Sequence, residues 1–125
     1  MNDSVKTYIQ SIVDGKIIPP VAQLIGFKLI SFDYGKSIFE MHVDKRHHNP
    51  AGKLHGGILC DIADATMGVA FASTLEENQG FITINFQINF LKAIIEDNLK
   101  TEGYLIKRGK SIGFLESKIY DSEKI

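Results

Sequence analysis

An α+β fold, one antiparallel β-sheet wrapped around a long central α-helix, is what this sequence predicts, on three observations. Residues 56–75 are apolar on nearly every side, and a helix apolar all round is a buried helix. Residues 82–90 set Ile82, Ile84, Phe86, Ile88 and Phe90 against Thr83, Asn85, Gln87 and Asn89, which is the period of a strand. The other patterned segments are strands joined by short turns, and one sheet around one helix satisfies that inventory best.

The elements follow in order. Residues 4–14 place Val5, Tyr8, Ile9, Ile12 and Val13 at helical spacing, with Asp3 or Ser4 as N-cap and Gly15 just past the end. Pro19-Pro20 breaks the chain, and 24–34 reads as a β-branched and aromatic strand turned at Gly35-Lys36. In 38–44, Phe39, Met41 and Val43 alternate with Glu40, His42 and Asp44, so His42 is expected to face solvent. The buried helix 56–75 carries Ala63, Ala65, Gly68, Ala70 and Ala72, small profiles where other backbone comes close. After the polar break 76–80 comes the strand 82–90, whose alternation fixes its register. Two further strands, 98–107 and 111–120, flank a turn at Lys107-Arg108-Gly109-Lys110.

With 125 residues, 44% apolar content and a net charge of -1, the chain suits one domain over 1–125, of which 1–20 form an N-terminal helix and linker. Near neutrality argues against nucleic-acid binding. A mean hydropathy of -0.01 with no 18-residue apolar span excludes a membrane helix. The start MNDSVKTYIQ is no secretory signal and the single Cys60 makes no internal disulfide, so a reducing, cytoplasmic setting is expected.

Chemistry concentrates in Asn49-Pro50-Ala51-Gly52-Lys53-Leu54-His55-Gly56-Gly57 and the helix behind it, which contains Asp64. The backbone N–H of Gly56 or Gly57, at a helix start with no intrahelical partner, can donate to a carbonyl oxygen as negative charge builds on it, which points to acyl chemistry. Glycine keeps the substrate carbonyl close to those amides. Asp64 lies in an apolar helix turn, where burial should raise its pKa toward the range useful for a base that activates water, or for direct attack. Eight residues separate Gly56 from Asp64, roughly 12 Å of rise and a rotation of about 80°. One helix cannot close that gap; if Gly56 and Asp64 act on the same carbonyl, they most simply come from two antiparallel helices of different subunits, each supplying half a site.

The spacing Asn49…His55-Gly56-Gly57…Asp64, with the strand TINFQINFLK, resembles the hotdog-fold acyl-CoA thioesterases of the PaaI-like type, over roughly residues 24–120. The resemblance implies a thioester hydrolase acting on acyl-CoA, as a homodimer or dimer of dimers with sites between subunits. It further implies that Asn49 holds the water or the thioester and that Thr83 assists from the strand of the subunit supplying Asp64. No metal or redox cofactor is implied, coenzyme A being part of the substrate. Family members usually have one more strand after the hairpin equivalent to 98–120, so either the sheet lacks that strand here or the sequence is incomplete.

Plainer roles stand beside these. Gly56-Gly57 could be a tight helix entrance, Asp64 a structural carboxylate, and Thr83 an exposed β-former. His55 could cap its loop rather than transfer a proton. Asp61 is a competitor whose charge the helix dipole already explains. His47 and His48 read as a solvated pair, since no second ligand cluster supports a metal site. Cys60 reads as a packed small residue. Lys107, Arg108 and Lys110 are either a charged hairpin tip or contacts to coenzyme A phosphates. Two other functions stay open: an acyl-thioester hydratase or dehydratase, which would rely on His55, and a dimer that binds acyl-CoA without turnover.

Overall fold

The computed structural model describes residues 1–123. Its elements are α1 (Asp3–Val13), α2 (Pro20–Ile25), β1 (Phe27–Asp33), β2 (Lys36–Val43), a 3-10 turn (Lys45–His47), α3 (Gly56–Ala72), β3 (Asp97–Arg108) and β4 (Gly113–Tyr120). The strands form one antiparallel sheet in the order β1-β2-β3-β4. Among the described residues no helix is long and apolar enough to cross a membrane.

The sheet's inner face packs on α3. Leu29, Phe39, Met41, Val43 and Leu99 point inward, where they meet Ile62 of the helix. Phe27 meets Phe39 edge to face at 5.7 Å. The glycine of β3 is what lets helix and sheet touch: a Cβ on Gly103 would stand 2.9 Å from the Thr66 carbonyl oxygen. Ser37 of β2 donates its hydroxyl to that same carbonyl, so a polar pair sits in the core with its hydrogen bond made. His42 faces solvent as expected and contacts Asn98 on the neighbouring strand at 2.8 Å.

Four boundaries differ from the sequence reading. The N-cap of α1 is Asn2, whose side chain accepts from the Ser4 and Val5 amides. The strand expected from residue 24 begins at Phe27, because Pro20 opens a short helix that Gly26 ends at φ 97°; proline suits a first helical turn and glycine a left-handed cap. The long helix stops at Ala72 rather than 75, where the Ser73 and Thr74 hydroxyls turn back onto the Ala70 and Phe71 carbonyls.

The fourth difference is the largest. The segment 82–90, with the clearest strand pattern in the chain, pairs with no strand among the described residues. It runs instead along α3 in the opposite sense: Phe81 lies against Gly68, Thr83 bonds Asp64, and Phe90 lies over Gly56. Its outward side chains are bare, with Ile82 85% and Ile84 76% exposed. Alternation states which face is apolar and leaves open which chain covers it.

Candidate functional site

The loop before α3 is fixed by its own polar groups. The Asn49 side-chain oxygen accepts from the Ala51 and Lys53 amides at 2.9 and 3.2 Å, and its backbone N–H donates to the Lys53 carbonyl at 2.7 Å. That oxygen is committed to the turn; only the side-chain NH2 is left to face a substrate. Leu54 and His55 then donate their amides to Ile94 and His47. His47 is buried rather than solvated: its Nδ1 accepts from the Asp44 amide, and its Nε2 donates to the Ile25 carbonyl at 2.7 Å. Burial follows because both ring nitrogens have partners in the fold. His48 is half-buried, with Nε2 2.6 Å from the Ile95 carbonyl. Among the described residues no cluster of three His, Cys, Asp or Glu could hold a metal ion. Asp44, which caps this turn, has its carboxyl held well below the usual carboxylate range by hydrogen bonds from Arg46.

At the mouth of α3, His55 is the N-cap and its Nδ1 accepts from the Gly57 amide at 2.9 Å. With Nδ1 so used, the ring proton of the neutral imidazole sits on Nε2. A Cβ on Gly57 would meet that ring at 2.9 Å, so the cap needs glycine there. Of the two amides expected to face a substrate, Gly57's is therefore taken and Gly56's has no acceptor among the described residues.

The carboxylate lies further along the same helix. Asp64 is exposed, and its Oδ1 accepts from the Thr83 hydroxyl at 2.9 Å. The burial expected for this carboxylate is absent in the single chain, because α3 turns that side outward and only the 81–90 segment reaches it. Asp64 and Thr83 line a groove of about 600 Å³ with Met67, Phe71, Phe81, Arg108 and Lys110. Arg108 is engaged there: its Nε donates to Thr74 at 3.1 Å and its guanidinium lies 4.8 Å from the centre of the Phe71 ring. Lys107 and Lys110 are exposed.

The structure thus brings the predicted residues together in two groups. Asn49, His55, Gly56 and Gly57 gather at the start of α3; Asp64 and Thr83 sit two helical turns on, and the groove they line does not reach Gly56. Asp61 is exposed and Cys60 half-buried with a free thiol. Sequence reading singled out neither the His47 brace nor Phe81, although Phe81 stands at the head of the alternating segment.

This arrangement has relatives. Residues 51–124 match the sequence profile of the Thioesterase superfamily. The chain belongs to that superfamily. It is 27% identical over 104 residues to the 1,4-dihydroxy-2-naphthoyl-CoA hydrolase of Listeria monocytogenes, covering 82% of this chain and 85% of that one. It is 29% identical over 87 residues to human acyl-coenzyme A thioesterase 13, covering 69% of this chain and 61% of the human protein, so it spans less than two thirds of that relative. The E. coli PaaI protein superposes with a TM-score of 0.80 at 24% identity, over 93% of this chain and 83% of PaaI. A Streptococcus pneumoniae thioesterase-like protein solved with coenzyme A superposes with a TM-score of 0.72 at 23% identity, over 78% of this chain and 75% of that one. The fold is the hotdog fold, an α+β architecture.

Proposed function

We propose that this superfamily member hydrolyses acyl-CoA thioesters as a homodimer, each site pairing Asp64 and Thr83 of one chain with Gly56 of the other. The observation behind the reading is the split itself: an unpartnered amide at one point of α3 and a hydroxyl-bound carboxylate roughly 12 Å along it. The bare strand-patterned segment 82–90 supports the assembly, because an apolar edge of this kind pairs with another strand.

In the reaction so drawn, the Gly56 N–H and the positive end of α3 receive the thioester oxygen. Asp64 takes a proton from water, Thr83 orients the carboxylate, and the water oxygen bonds to the carbonyl carbon. Collapse of the tetrahedral intermediate breaks the C–S bond, and the coenzyme A thiolate leaves to take up a proton. Burial of Asp64 by the second chain would supply the desolvation that one chain lacks. His55 serves as the cap that shapes the helix mouth, and Asn49 offers its side-chain NH2 beside it. Lys107 and Lys110 are the exposed cations that would meet the coenzyme A phosphates, Arg108 being tied to Thr74. No metal or redox group enters this chemistry. A cytoplasmic setting agrees with a single, unpaired cysteine.

The test is free-thiol release from a panel of acyl-CoAs by the wild-type protein and by Asp64→Ala. The expected result is turnover by the wild type and a loss of two or more decades in the variant. Equal rates for both proteins would remove Asp64 from the mechanism, and coenzyme A binding without thiol release by the wild type would favour the non-catalytic dimer.

A further inference from the structure

A second cavity lies behind the Asp64 groove. It measures about 820 Å³, within the range of small-molecule sites. Its outer wall is α1, through Val5, Ile9 and Ile12; its inner wall is α3, through Ala65, Val69 and Ala72. Among the described residues, Lys28 and Glu77 are the only charged ones lining it. Val5 and Ile12 are only partly buried, although they point at the core. The amphipathic α1 therefore roofs an apolar space that it does not fill.

The two spaces share a wall. Gly68, Leu75, Gln79 and Phe81 line both the groove and the cleft. Asp64 and Gly68 stand four residues apart on α3, hence on one helix face, a turn apart. A Cβ on Gly68 would lie 3.5 Å from the Phe81 ring, an ordinary contact, so a methyl group fits at 68 and a larger side chain would fill the space beside the ring. Phe81 is 43% exposed and meets Phe71 edge to face at 5.3 Å, with no polar anchor.

We propose that the cleft beneath α1 receives the far end of a long aliphatic acyl chain, which enters from the Asp64 groove past Gly68 and Phe81. The assignment rests on the thioesterase reading and adds the substrate class to it. From a thioester carbonyl held at Asp64, the acyl group would run past Gly68, one turn on along α3, into the apolar space of this cleft. An entry bounded by a single ring admits a flexible methylene chain end-on, whereas a rigid fused aryl group stops in the groove. Burial of each further methylene strengthens binding by up to about fourfold.

The experiment titrates S-butyl-, S-octyl- and S-dodecyl-coenzyme A thioethers, which have no carbonyl to hydrolyse, into wild type, Gly68→Ala and Gly68→Leu by calorimetry. Wild type should bind the dodecyl thioether at least thirtyfold more tightly than the butyl one. Gly68→Ala, whose Cβ makes an ordinary contact, should keep that ratio, and Gly68→Leu should reduce it at least tenfold. Should Gly68→Leu fail to fold, Ile12→Trp fills the cleft from the α1 side and should act alike. Equal affinity for butyl and dodecyl chains in wild type overturns the proposal, as does an undiminished ratio in the filled variants. An S-naphthylmethyl thioether that binds as tightly as the dodecyl one and loses as much in the filled variants overturns it in favour of aryl substrates. An intact chain-length ratio in a protein that releases no thiol from any acyl-CoA supports the cleft and refutes the hydrolase reading alone.

Discussion

The two halves of the candidate site are built to different standards. Around the helix mouth, residues 44–57 are held by Asp44, His47, Asn49 and His55, each of which makes side-chain hydrogen bonds inside one chain. Around Asp64, the contacts of the covering segment 81–90 among the described residues include the Thr83–Asp64 hydrogen bond, Phe81 on Phe71 and Phe90 over Gly56. Beyond it, Lys92 ties the chain to Asp121 and Glu123. The first half is pre-organised by local hydrogen bonds. The second leaves its outward side chains bare, which is how the proposed site, shared between two copies, should look in one of them.

The sharpest way to break this comparison is at the helix mouth. Gly56→Pro deletes the amide and keeps the helix, since proline suits the first helical position and His55 already has an extended ψ of 129°. Its Cβ meets the Phe90 ring at 3.0 Å, so Gly56→Ala, which adds the same Cβ and keeps the N–H, is the control for displacement of that ring. Loss of one such donor raises the barrier by about 3 kcal/mol, so kcat should fall by two to three decades with the circular dichroism unchanged. Next comes the opposite half. Ile82→Asp with Ile84→Asp places charge on side chains that are 85% and 76% exposed, which leaves the single chain folded. Sedimentation should then show monomers, with most activity lost.

Smaller effects sharpen the picture. His55→Ala removes the N-cap bond to Gly57 and should cost about 1 kcal/mol of stability, read as a Tm drop of about 4 °C. Turnover should fall by less than tenfold; near-total loss would point to a hydratase. The smallest effect is pH-dependent. Asp44 has a folded pKa lowered by Arg46, so its contribution is present above the unfolded carboxylate pKa of about 4 and disappears as pH falls through the lower folded value. The Tm gap between wild type and Asp44→Asn, about a degree for so exposed a pair, should close on acidification below about pH 3.

How much the sequence disclosed depends on where each residue's partners lie. The buried helix, the β2 alternation and the hairpin 97–120 could be read because their periodicity is set by a core inside the chain. Asp64 with Thr83 could be read only through family spacing, since nothing local ties positions 64 and 83. Pro20–Ile25 was hidden because its apolar residues suit a strand equally well, and the decisive cap is the left-handed Gly26. His47 was hidden because its burial is decided by a carbonyl 22 residues away. The segment 82–90 was misjudged in pairing and not in pattern.

The shared site is tested most directly by mixing two dead proteins. Asp64→Ala and Gly56→Pro, co-expressed with different tags, form heterodimers in which one site combines the intact Asp64 of one chain with the intact Gly56 of the other. Random pairing makes half the dimers mixed, each with one live site, so about a quarter of wild-type activity should return. If the mixture stays as inactive as either variant alone while mixed dimers are present, each site lies within one chain and the account is wrong.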